Sequence, residues 1–344
     1  MRPVTDRPAA GDPVVGHLVV GPAQHGVVRF AEGVLAALED PGPVVRATSV
    51  AELGPGWTDR LAGCDLVHLQ YTDALYAPRC EEAADTLVRL VGRLSPPCSV
   101  TLHDLPQPGD GAALLVRRAA CYRAVVRAAV GVVVSSEHES TLLDAVLRED
   151  PDLALRPRAV VPLPVEPHTP TPPERGDGQV TVLGFLHPGK GHDDALDALA
   201  ALPAGVGLVA LGRPAPGHED LPARLRERAH GRAVRVTGFV EDLAPHLRSA
   251  GVPLAPHRAV SASGSVGTWL SAGRRPLVPA GRYADELLAR CPGALWTYDP
   301  GGLPAALALA LAEPERTWLA PGVVLGPSGV EVGQAYHRAW AGFA

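Results

Sequence analysis

Residues 184–191 read Gly-Phe-Leu-His-Pro-Gly-Lys-Gly. A lysine between two glycines, two residues after a proline, is a compact cation in a turn where backbone can approach a ligand closely. The flanks place that turn. Gln179–Leu183 is short, apolar and β-branched, which predicts a buried strand. From His192 onward, Ala195, Leu196, Leu199 and Leu202 fall at helical spacing, and Asp193 and Asp194 suit a first helical turn. Lys190 is therefore expected where a strand ends and a helix begins, the place in open α/β sheets where ligands bind and free helix N–H groups favour an anion. A solvated loop lysine is the other reading of the same eight residues. Ser-Ala-Ser-Gly-Ser at 261–265 offers a second candidate. It follows the apolar Gly251–Pro256 and precedes a helix-like Val266–Gly273, so Ser263, Gly264 and Ser265 put small side chains and bare N–H groups at a helix start. Simple capping of the helix accounts for the same residues. Arg258, just upstream, is either a second cation for the anion or a solvated loop arginine.

Further candidates lie in the first half. His103 ends Cys98–His103 and precedes Asp104, so it is either a hydrogen-bonding group at a strand's carboxyl end or a structural histidine paired with that aspartate. Gly26 opens a helical stretch, as a point of close backbone approach or as an ordinary helix-start glycine. His68 lies in an apolar strand and reads as a core or strand-edge histidine. Asp65 and Glu137 read as a strand-start residue and a first-turn helix acid. No Asp-x-Asp pair suggests a metal role, His192–Ala195 reads as a helix start, and no metal or cofactor is expected.

Elements that position these groups alternate along the chain. Apolar strands at 14–20, 65–71, 98–103 and 130–136 are interleaved with helical patterns at 26–38, around 80–94 and 114–129. A second alternation starts at 179 and runs to 298. The fold expected is α/β, with two Rossmann-like, doubly wound parallel-sheet domains facing across a cleft. Proline crowds residues 157–178, which reads as a semi-rigid linker. The boundaries expected are a first domain over 1–163, a linker over 164–178, a second domain over 179–325 and a C-terminal helix over 326–344 that packs back on the first domain. The 344 residues, 46% hydrophobic, suffice for two cores. A net charge of −6 argues against a generic nucleic-acid binder. Five scattered cysteines without a Cys-x-x-Cys pair argue against a disulfide framework or a structural zinc, and fit a reducing cytoplasm. No stretch is apolar enough to read as a signal peptide or a membrane span. Peripheral contact with a membrane surface and the oligomeric state stay open.

In order and spacing, these segments resemble the GT-B glycosyltransferases, and among them retaining glycosyltransferase family 4. Gly184–Leu199 is similar to that family's strand–turn–helix ending in Lys-Gly. Val234–Arg258 is similar to its segment running from a Gly-x-Val turn to the next strand, Ser261–Pro279 to its donor-binding loop and helix, and Tyr283–Leu288 to the acid-containing segment beyond. In the first half, His25–Leu38, Val100–Asp104 and Val132–Leu143 resemble its first loop and helix, its strand ending in histidine, and the strand and helix before the crossover. The resemblance implies a nucleotide-diphosphate sugar on the second domain, held by Gly26, Gly184, Lys190, Arg258, Ser263, Gly264, Ser265 and Glu286. It implies an unknown acceptor on the first domain near His103, and catalytic roles for His103 and Lys190. Two departures stand out. The family carries an arginine shortly after the glycine that ends the strand, where here Phe185 follows Gly184. It also carries two glutamates at the places of Ser261 and Trp269. The expected function is a metal-independent, retaining glycosyltransferase. The alternatives are a non-catalytic ligand- or partner-binding protein on the same fold and, more distantly, a nucleotide-sugar epimerase.

Overall fold

The computed structural model describes residues 12–167 and 176–344. The middle of the expected linker, 168–175, lies outside the described residues. The chain divides into two compact units, residues 1–162 with 329–344, and residues 163–328. The second unit thus begins before the expected linker. Val165 is already part of its core and donates its N–H to Pro327 O.

Unit 1 holds a parallel sheet of β1 (Val15–Val20), β2 (Val44–Ala47), β3 (Leu66–Tyr71), β4 (Cys98–Leu102), β5 (Gly131–Val134) and β6 (Arg158–Val160), in the order β2-β1-β3-β4-β5-β6. Every residue of β1, β3, β4 and β5 is buried, as expected for parallel strands covered on both faces. Its helices are α1 (Gly26–Ala36), α2 (Asp73–Tyr76), α3 (Cys80–Val91), α4 (Ala112–Ala128), α5 (Glu137–Leu147) and α6 (Pro151–Ala154).

Unit 2 holds β7 (Val180–Leu183), β8 (Leu208–Leu211), β9 (Val234–Val236), β10 (Val252–Leu254), β11 (Leu277–Pro279) and β12 (Trp296–Tyr298), in the order β12-β11-β10-β7-β8-β9, again all parallel. Its helices are α7 (His192–Leu199), α8 (Leu221–Arg228), α9 (Ala244–Ser249), α10 (Gly264–Ser271), α11 (Arg282–Arg290) and α12 (Leu303–Ala312). Strand side chains alternate between faces. Val180, Val182, Leu208 and Ala210 join the core under α7, α8 and α12, while Leu183 and Leu211 pack with Leu247 of α9 and Trp269 of α10. The strand order reverses between β7 and β10, so the crevice at their carboxyl ends is the topological switch point of this sheet.

The last helix, α13 (Gly329–Ala341), belongs to unit 1. Val332, Tyr336 and Trp340 are buried with Val15, Val34 and Leu66, and Tyr336 Oη lies 2.9 Å from Thr101 Oγ1. The i, i+4 aromatic pair is one edge of this core.

Candidate functional site

In unit 2 the carboxyl ends of β7 and β10 bring Lys190, His257, Ser263 and Ser265 together. After β7 the chain passes Gly184 (φ 119°), makes a single 3-10 turn over Pro188–Lys190, and enters α7 through Gly191 in the left-handed region (φ 72°). A β-carbon on Gly191 would clash with Pro256 O, so this glycine is required by the close approach of the loop after β10. A β-carbon on Gly184 would lie 3.3 Å from Lys190 Cε, which fixes the lysine stem against the strand end. The amine lies 3.1 Å from His257 Nε2 and donates to Ser265 Oγ at 3.2 Å. Ser263 is the N-cap of α10: its Oγ accepts from Val266 N at 3.4 Å and lies 3.1 Å from Ser265 Oγ. Gly264 is the first residue of α10, and a β-carbon there would meet no protein atom within 4 Å. The helix start is therefore sterically open, and the lysine amine sits beside it. A cation and an open helix N-terminus are together suited to an anion.

The other expected donor residues lie as follows. Arg258 makes two bonds to Asp194, at 2.7 and 2.8 Å, so to serve an anion it would first have to leave this carboxylate. Glu286 sits on α11 with Arg290 at 3.6 Å. Trp269, at one of the family's glutamate positions, is fully buried among Leu183, Leu211 and Leu247 and cannot stack on a ligand. Ser261 is buried too.

Of the next residues at this edge, His257, Arg213 and Phe239 escaped the sequence reading, which named His192 only within a helix start and Phe185 only as a departure from the family. His257 and His192 are buried, and burial together with the charge of Lys190 holds both imidazoles below the usual histidine range, His192 at about 4. Phe185, Arg213 and Phe239 follow β7, β8 and β9, each behind a glycine of positive φ: Gly184, Gly212 and Gly238. The Arg213 guanidinium lies over both rings, 5.4 Å from the centroid of Phe185 and 6.0 Å from that of Phe239. It is exposed and has no acidic partner among the described residues. The recurring Gly-x at three adjacent strand ends was the available signal.

In unit 1 the carboxyl end of the sheet carries His103. It is buried, lies edge-on to Phe30, and its Nε2 donates to Gln70 Oε1 at 2.7 Å. The Gln70 amide in turn meets His68 Nε2 at 3.2 Å, and His68 is held by Ser99 and Thr101 at 2.9 Å each. This assigns the proton of His103 to Nε2 and leaves Nδ1 as an acceptor. Burial lowers its pKa to about 4, although the Asp104 charge opposes the shift. A base that weak is a hydrogen-bond acceptor at neutral pH rather than an efficient general base. Asp104 occupies the left-handed region (φ 51°), a strained conformation for a non-glycine residue. Its carboxylate accepts from Thr72 at 2.8 Å, and its carbonyl accepts from Arg118 and Tyr122. Gly26 is the first residue of α1, whose cap is the His25 imidazole accepting from Val27 N at 3.2 Å. A β-carbon on Gly26 would meet nothing within 4 Å, so packing does not demand a glycine there.

No family model matches the sequence, and no curated protein matches it. Solved structures do. HepE of Anabaena, solved with UDP and glucose, superposes with a TM-score of 0.73 at 15% identity over 96% of this chain and 99% of its own. Sucrose-phosphate synthase of Thermosynechococcus elongatus gives 0.61 at 14% identity over 94% and 93%. TarM gives 0.54 at 8% identity, over 80% of this chain and 51% of TarM. The paired parallel sheets and these whole-length likenesses show that the chain has the two-domain GT-B fold of glycosyltransferases.

Proposed function

We propose that the protein is a glycosyltransferase that takes a sugar from a nucleoside-diphosphate sugar. The observation that carries this is the Lys190 amine held beside the open start of α10 at the switch point of unit 2. In transfer, the bond from the anomeric carbon to the diphosphate breaks and charge grows on the leaving oxygens. A cation and helix N–H groups fixed in advance stabilise that charge without reorganising. Arg213 supplies a second cation from the neighbouring strand, where the family's own arginine is replaced by Phe185. Because the chain offers these groups, the reading needs no metal ion. The acceptor's hydroxyl oxygen bonds to the anomeric carbon as the diphosphate leaves, and its proton passes to the departing phosphate oxygen. His103 of unit 1 is read as an acceptor-binding residue. We read the outcome as retaining: a front-face transfer, with the departing phosphate oxygen as base, requires neither a protein nucleophile nor a strong protein base. HepE was solved with UDP-glucose, so UDP-glucose is the first donor to try. The test is thermal stabilisation by UDP, GDP, dTDP and their sugars. A nucleotide at about 100 times its Kd should add about 2.7 kcal/mol of stability, and UDP-glucose should be turned over when acceptors are screened. No stabilisation by any of them rejects the proposal. A second reading, nucleotide-sugar binding without transfer, is favoured by Ser261 and the buried Trp269 at the family's two acid positions. Stabilisation with no hydrolysis or transfer of any donor would select it.

A further inference from the structure

Resting on that reading, we propose that His257 is the positioning residue that holds Lys190 at the start of α10. The two side chains come from loops after β10 and β7, strands that neighbour each other across the switch point. Their tautomeric state follows from chemistry. An ammonium has only donors, so the 3.1 Å contact requires the lone pair of His257 to be on Nε2 and its proton on Nδ1. Nδ1–H then points to Ser263 Oγ at 3.4 Å, the same oxygen that caps α10. One imidazole thus ties the lysine to the helix cap. The choice of partner matters. A carboxylate in this place would hold the amine more tightly but cancel its charge and compete with a diphosphate. A neutral imidazole orients the amine without itself cancelling the charge. His257 is buried, and its burial with Lys190, His187 and His192 around it keeps the ring neutral.

The experiment combines ligand binding with a spectroscopic signature. Titration calorimetry with UDP, GDP and dTDP is run on the wild type, His257→Gln and His257→Leu. Glutamine keeps an acceptor for the amine; leucine does not. His257→Leu should bind the preferred nucleotide about tenfold more weakly, with His257→Gln within about threefold of the wild type. Long-range proton–nitrogen spectra, with His257 assigned by its loss in His257→Gln, should show the Nδ1–H tautomer in the wild type, relaxing toward Nε2–H in Lys190→Met. Full affinity in His257→Leu, or an Nε2–H tautomer in the wild type, overturns the proposal. If the leucine variant does not fold, the glutamine variant and the wild-type spectrum decide. If the wild type binds none of the three nucleotides, the glycosyltransferase reading fails, and the tautomer still decides whether His257 holds the lysine.

Discussion

Lys190 gives hydrogen bonds to His257 Nε2 and Ser265 Oγ, two uncharged atoms that can survive its removal without becoming buried charges. Lys190→Ala should therefore leave the fold intact and weaken nucleoside-diphosphate binding. A charge-assisted contact contributes about 1.5–3 kcal/mol, or roughly 10- to 100-fold, read by calorimetry and, once a donor is found, by kcat/KM. Lys190→Arg should restore only part of this, because a planar fork does not reproduce a compact ammonium packed against Gly184. Retained affinity with a melting temperature lowered by several degrees would make the lysine structural. The lysine was legible in the sequence because a cation between turn glycines after an apolar run is a local pattern. His257 was not. Its partner lies 67 residues away, and only the pairing of β10 beside β7 brings the two together. Arg258, its neighbour, was the more visible basic residue, and the structure turns it to Asp194.

At the level of elements, the two glycines of this edge separate steric need from ligand access. Gly191→Ala should destabilise unit 2, since its β-carbon would meet Pro256 O in a left-handed conformation. Gly264→Val has open space and should fold, yet obstruct an anion at α10. Equal melting temperatures for wild type and Gly191→Ala would refute the first, and full nucleotide affinity in Gly264→Val the second. Behind the site, Arg274 fastens the end of α9 to the approach of β10. Its fully buried guanidinium donates to the carbonyls of Leu247, Arg248, Ala250 and Gly251, with Thr317 Oγ1 at 2.9 Å and the Trp318 ring at 4.4 Å. Lysine cannot span this fork. Arg274→Lys should cost unit 2 about 3 kcal/mol by leaving buried carbonyls unpartnered, measurable as a lower urea midpoint; an unchanged midpoint would show that the fork is dispensable. The strands that carry the site were legible because parallel strands covered on both faces are continuous apolar runs. β2 and β6 were not, since Val-Val-Arg-Ala and Arg-Ala-Val are short edge strands that are only partly buried. The boundary between units was blurred for a related reason: the proline-rich stretch holds β6 at one end and the core residue Val165 a few positions later.

For the whole molecule, the buried histidines set how the fold meets acid. His17, His68 and His103 lie in unit 1, His192 and His257 in unit 2, and all five are buried. Burial is the largest cause in each, and it lowers His17, His103 and His192 to about 4 and the other two well below the usual 6.5. A histidine whose folded pKa is lowered is protonated first in the unfolded chain. The unfolded state therefore binds more protons between pH 6.5 and about 4, and stability falls as the pH falls through that window. Each such group contributes a slope of about 1.4 kcal/mol per pH unit once the pH is well below 6.5. Glu81, held at about 2 by Arg117, responds only at lower pH and does not mask the effect. With the half-buried His25, which burial also lowers, unit 1 holds four such histidines against two in unit 2, which makes unit 1 the more acid-sensitive. Its last helix adds to this, because the His17 and His68 rings pack against Trp340, and a charge on either would be placed against the inner face of α13. Hydrogen exchange read by mass spectrometry at pH 7, 6 and 5, corrected for intrinsic rates, should show residues 12–160 and 329–344 losing protection together and before residues 179–328. Equal protection of both units down to pH 5 would mean that these histidines accept protons within the folded state.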